Sequence, residues 1–199
     1  DRDVRKLEAA IADSGLSNTQ LVSTAWASAS TYRATDMRGG ANGARIRIAP
    51  QNQWAINNPA ELAEVMAVLE DVQDEFNSGL SRGKQVSLAD VIVLAGNVGV
   101  ERAAEAFGVE VSIPFSPGRV DAIEGSVDAA SWSVLEPRHD GFRNYMADLG
   151  FMSPSQALID KSGMLNLTVS VMTVLLGGLR AMNDNADGSH RGVLTDRPG

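Results

Sequence analysis

Apolar residues recur along most of this chain at helical spacing, and the breaks in that pattern mark out a set of helices. Val4, Leu7, Ala10 and Ile11 fall on one stripe, closed by Gly15. Ser17-Asn18-Thr19-Gln20 has the form of a capping box and predicts a helix over about 18–29, with Leu21, Val22, Ala25, Trp26 and Ala29 at apolar positions. After Asn58-Pro59 the residues Leu62, Val65, Met66, Leu69, Val72 and Phe76 follow at three- and four-residue intervals, the clearest amphipathic helix of the chain. Ser87-Leu88-Ala89-Asp90 is a second capping signature. It opens Val91-Ile92-Val93-Leu94-Ala95, which is apolar all round and suits a helix at the centre of a bundle. The pattern stays helical from Val98 to Phe107 and ends at Gly108. Later helices are expected over 139–149, 154–162 and 169–177. Residues 30–58 read as a long loop rich in Gly, Asn and Arg, and Pro114, Pro117 and Gly118 make 111–121 an ordered turn or a short strand. The expected fold class is all-α, with long connections of the kind that often carry function.

Composition narrows the chemistry. The chain has 199 residues, is 44% hydrophobic and carries a formal charge of −8, enough apolar material for one sizeable core. With no cysteine, disulfides, thiolate metal sites and Cys nucleophiles are excluded. The acidic balance argues against nucleic acid and anionic membrane as partners. The apolar stretches 91–100 and 169–179 are too short to span a bilayer, and the start Asp1-Arg2-Asp3-Val4-Arg5 lacks the core of a signal peptide, so a soluble protein is expected. Two histidines are few for an enzyme built on imidazole chemistry.

Four stretches then become specific. Val22 to Arg33 leads into Asp36-Met37-Arg38-Gly39-Gly40-Ala41-Asn42-Gly43; Ala89-Asp90 leads to Gly96-Asn97-Val98; Gly118-Arg119-Val120-Asp121 forms a turn; and Val174-Leu175-Leu176-Gly177-Gly178 closes the series. In that order they resemble the distal helix and loop, the next buried helix, the Gly-Arg-x-Asp turn and the proximal helix of catalase-peroxidases and related class I haem peroxidases. The resemblance implies a haem-peroxidase-like helical domain. It also implies where the family's chemistry would sit. A distal Arg and a distal His, which stabilise charge and accept a proton from peroxide, correspond to Ser23 and Ala27, with Trp26 retained between them. The iron ligand corresponds to Leu179, which has no lone pair to give. Asn97 matches the residue that orients the distal His, and the tyrosine position of the family's Met-Tyr-Trp crosslink falls at about Val134. The resemblance therefore implies no catalytic residue, no haem and no metal in this chain.

Catalase-peroxidases contain two tandem peroxidase-like halves, of which the carboxy-terminal one has lost haem. Leu21 to Ser30, Pro114 to Asp121, Leu135-Glu136-Pro137 and Asp140 to Tyr145 resemble that second half. Residues 1–199 are thus expected to be a single degenerate peroxidase-like domain, truncated at its carboxy terminus. It would be haem-free and would support the active site of an amino-terminal half carrying haem b. The parent is expected to be a cytoplasmic homodimer that breaks down hydrogen peroxide and oxidises small donors. Two other readings stay open: a divergent haem-binding peroxidase module, and an anion-binding module built on Arg33, Arg38, Arg45 and Arg47 with Gly39, Gly40 and Gly43. The bland reading ties those arginines to carboxylates and carbonyls within the loop. Arg119 and Asp121 are expected to brace their turn, Asn97 to have a backbone partner, and His139 and His190 to face solvent. Asp184, Asp187 and His190 make a weak metal constellation, and no Gly-x-Ser-x-Gly elbow is present. The resemblance further implies that the former haem cavity between Ser23, Ala27 and Leu179 is filled by neighbouring apolar side chains or loop, because an empty cavity forfeits contact energy.

Overall fold

The computed structural model describes residues 2–81, 83–123, 125, 128–144, 150, 152–183, 185 and 188–196. Seven α-helices run through them: α1 (Arg2–Ala12), α2 (Asn18–Ala29), α3 (Pro59–Ser78), α4 (Leu88–Ala106), α5 (Ala129–Ser133), α6 (Pro154–Met164) and α7 (Val169–Ala181). The connection before α3 is not featureless; it holds three 3-10 turns, Arg45–Arg47, Gln51–Gln53 and Ala55–Asn57. Among the described residues the only β pairing is two isolated bridges, Arg33 with Arg38 and Gly43 with Asp121.

α4 is the hub of the main core. Leu88, Ala89, Val91, Ile92, Leu94, Ala95 and Val98 are buried on it, packed with Leu7 and Ile11 of α1, Leu21 and Ala27 of α2, and Leu62, Val65, Met66 and Leu69 of α3. Its all-round apolar sequence thus matches a helix covered on several sides. α2 lies against it at short range because α4 carries glycine where they meet. A Cβ at Gly96 would stand 2.6 Å from the Ala25 methyl, and one at Gly99 would stand 2.7 Å from Val22. A second, smaller core joins α2 to α7 through Val22, Phe142, Met172, Leu176 and Leu179.

Caps fix the helix starts. Ser17 and Gln20 form the reciprocal box at α2. At α4, Ser87 accepts from the Asp90 amide, but Asp90 does not reach back. Its buried carboxylate instead accepts from Gly118 N at 2.7 Å and pairs with Arg119 at 2.8 Å. Asp121 caps the next two amides, accepting from Leu88 N at 2.8 Å and Ala89 N at 2.9 Å. Two orphan amides at a positive helix end meet a carboxylate. Asp121 therefore braces the turn against α4, and Arg119 does so both through Asp90 of α4 and, as expected, within the turn, donating to Ser116 O at 2.8 Å.

Three expectations about elements need correction. Residues 139–144 are not helical, and 145–149 lie outside the described residues. α6 and α7 run further than expected, to Met164 and Ala181, and meet at a 106° corner. The short α5, capped by Asp128, was not anticipated. No single helix among the described residues is long and apolar enough to cross a membrane.

Candidate functional site

α2 turns Ser23, Trp26 and Ala27 toward the second half of the chain, and α7 brings Leu179 to the same region. Ala27 and Leu179 are each 5% exposed, Ser23 and Trp26 half-buried. They do not frame one slot. Ser23 and Ala27 border a cleft of about 600 Å³ shared with Asn57 and Arg143. Leu179 and Trp26 border a separate apolar groove along α4 and α7, with Asn97, Val93 and Val174. What stands between the two helices is the segment 140–143. Phe142, fully buried, packs in the cluster with Val22, Leu176 and Leu179, and its ring lies 6.0 Å from that of Trp26 at 48°. Phe142 fills the apolar side beside Leu179 and an ionic half lies toward Ser23 and Ala27, but those two residues still border an open cleft.

That ionic half is Asp140 with Arg143, a pair that the sequence did not single out. Asp140 is 0% exposed. Its Oδ2 accepts from Arg143 Nε at 2.6 Å and from Trp26 Nε1 at 3.5 Å, and its Oδ1 accepts from the amide of Arg143 at 3.0 Å. The guanidinium also donates to Asn57 Oδ1 and Ser30 Oγ, both at 3.0 Å. One buried cation therefore ties the loop to the end of α2 and to the turn before α3. The Gly141 carbonyl accepts from Arg180 of α7. The legible signal was Asp140-Gly141, a turn pair: Gly141 has φ +79°, and Asp140 satisfies the amides that a helix would otherwise use.

Lys161 of α6 approaches the same region, donating to the Ser30 carbonyl. Burial pushes its ammonium down to about 8; Asp140 opposes that fall and Arg143 adds to it. The folded form therefore holds the proton less tightly than the unfolded chain, whose lysine titrates near 10.5. Below about pH 8 both states are protonated and the cost of burying the charge is constant. Between about 8 and 10.5 the unfolded state binds more protons, so stability from this group rises with pH. Denaturant unfolding of the wild type and Lys161→Met between pH 7 and 10 should show their difference shifting toward the wild type by on the order of 2 kcal/mol. A flat difference would contradict the shift.

His139 corrects an expectation. It is 6% exposed, not solvent-facing, and neither ring nitrogen has a hydrogen-bond partner among the described residues. Leu135 and Lys161 border the same cavity, and that enclosure comes from residues a local pattern does not reveal. His190 is exposed as expected. Asp184 and Asp187 lie outside the described residues, and no cluster of three or more metal-binding side chains occurs among those described.

The arginine loop is internally engaged. Arg33 and Arg38 both bind Asp36, and the Arg33 guanidinium, then that of Arg38, hold its carboxyl well below the usual carboxylate range. Arg45 donates to Asn42 O at 2.6 Å and lies 4.9 Å over the Trp132 ring, and Arg47 donates to Ala122 O at 2.6 Å. Asn97 donates to the Ile113 carbonyl at 3.5 Å, the expected backbone partner. Val134 is exposed and borders the cavity of His139, whereas Trp26 borders the α4–α7 groove.

These residues do not fit haem. Leu179 sits in an apolar cluster with Phe142 packed in it, and α2 and α7 contain no histidine.

The chain matches the peroxidase family over residues 4–195. It is 59% identical over 198 residues to a catalase-peroxidase of Bradyrhizobium sp. (strain ORS 278), covering 100% of this chain and 27% of that protein. It is 56% identical over 198 residues to a catalase-peroxidase of Hahella chejuensis, with the same coverage. It thus spans about a quarter of the length of these curated relatives. Among solved structures, the TL29 protein of Arabidopsis thaliana matches with a TM-score of 0.56 at 22% identity, over 96% of this chain and 81% of that one. That likeness is one of fold.

Proposed function

Because the chain belongs to the peroxidase family, we propose that it is the haem-free carboxy-terminal domain of a bifunctional catalase-peroxidase. In this reading the domain is not itself an enzyme. It packs against the amino-terminal half of the same polypeptide and keeps the haem site there in working geometry. The parent, a cytoplasmic homodimer, breaks down hydrogen peroxide and oxidises small donors with haem b. The observation that carries the reading is what packs at these positions: Phe142 lies against Val22 of α2 and Leu179 of α7, Asp140 bonds Trp26, and Arg143 borders the cleft of Ser23 and Ala27. In this reading three residue types needed for peroxide chemistry are replaced together, and a small apolar core around Phe142 and Leu179 supports it.

The test is recombination. A haem-bearing amino-terminal half of a related catalase-peroxidase, prepared alone, is mixed with this chain at equimolar concentration. Catalase activity of that half is expected to rise at least tenfold, with a change in its haem absorption spectrum. If the chain binds neither the half nor alters its activity or spectrum, the supporting role is wrong.

A further inference from the structure

Away from the rebuilt centre, α6, the residues just after α2 and the stretch 134–139 enclose a cavity of about 530 Å³, within the roughly 300–1,000 Å³ typical of small-molecule sites. Much of its wall is apolar, with Leu135, Pro137, Ala157 and Met164. Two buried polar side chains border it, and both are short of partners. Lys161 is 8% exposed; its ammonium donates to the Ser30 carbonyl, and it makes no salt bridge among the described residues. Asp140 and Asp160 act on it only through longer-range attraction. An ammonium has three donors, and a buried cation without a paired anion is unfavourable. His139 is the second, with both ring nitrogens buried and unpartnered among the described residues. Buried polar groups are nearly always hydrogen-bonded, so a deficit shared by two side chains on one cavity is specific. An anion entering there supplies an acceptor to both.

The chemistry also limits the anion. Of the lining cations, Arg33 is already bound to Asp36 and Arg138 is exposed, which leaves the buried Lys161 ammonium and the His139 imidazole to meet a guest, while the exposed Glu136 and Asp160 oppose a multiply charged one. The apolar wall favours a guest with a hydrocarbon body. We propose that this cavity binds a small organic carboxylate, its anionic head beside Lys161 and His139 and its apolar body against Leu135, Pro137 and Met164.

Benzoate is the probe, with benzamide as the same body without charge and inorganic phosphate as charge without the body. Calorimetry on the full chain is expected to show saturable benzoate binding at least tenfold tighter than either control, and Lys161→Met, checked for folding by circular dichroism, is expected to lose at least tenfold of it. With only two histidines in the chain, proton NMR locates the guest. Benzoate is expected to shift the Hε1 signal of His139 and leave that of the exposed His190, assigned through His190→Gln, in place. If Lys161→Met fails to fold, the wild-type selectivity and the His139 shift decide. No saturable benzoate binding, benzamide or phosphate binding as tightly as benzoate, or an unmoved His139 signal overturns the proposal.

Discussion

Arg143→Met is expected to lower the unfolding free energy by about 3–5 kcal/mol, the range for removing one partner of a buried ion pair. With Arg143 gone, the fully buried Asp140 keeps as hydrogen bonds only the amides of its own turn and the long bond from Trp26, with the Lys161 charge at longer range, while Asn57 and Ser30 lose a donor. A domain of this size has roughly 5–15 kcal/mol in total, so the variant sits near the threshold of folding. The size of the loss reflects the abandoned charge more than the worth of the pair. The double variant Asp140→Leu with Arg143→Met should therefore lose clearly less than the sum of the two single variants. Urea unfolding of all four proteins checks both statements. A loss below about 1 kcal/mol for Arg143→Met, or strict additivity, would mean that the pair is not a structural hub.

The second large effect falls on the neighbouring residue. Phe142→Ala removes a fully buried ring from the cluster with Val22, Met172, Leu176 and Leu179. Phe-to-Ala changes in cores cost about 3–5 kcal/mol, and the amount depends on how far the site collapses. Here collapse is restricted, because Gly141 on one side is held by Arg180 and Arg143 on the other by Asp140, Asn57 and Ser30. The upper part of the range is expected, with an altered emission of Trp26, whose ring faces Phe142. A loss under about 1.5 kcal/mol would show that Phe142 lies in a site that relaxes freely, and so does not fill the centre as described.

Local periodicity was a good guide where a helix packs against its sequence neighbours. The stripe Leu62, Val65, Met66 and Leu69 is buried as its spacing predicts, and the all-apolar run of α4 lies at the middle of the main core. The Ser17 capping box closes on both sides. Ser23, Ala27 and Leu179 could be singled out because they stand inside the motifs that carry the resemblance. What packs around them was not legible. Asp140 to Asn144 sits within a stretch whose spacing suits a helix, yet the Asp140 carboxylate captures the amides of Phe142, Arg143 and Asn144 and Gly141 takes a positive φ. A side chain competing for backbone donors defeats a periodicity argument, which counts only apolar faces. His139 and Lys161 were hidden for a different reason. Their burial is produced by remote segments, Lys161 reaching Ser30 across 131 positions, and no window of sequence holds both ends of such a contact.

The claim that most needs testing is that this peroxidase-family chain has rebuilt its centre as a core and holds no haem of its own. Titration of the purified chain with haemin, followed in the Soret region, tests it most directly. A linear, non-saturating response without a shifted Soret maximum at one equivalent is the predicted result. A saturating Soret shift at one haem per chain would contradict it.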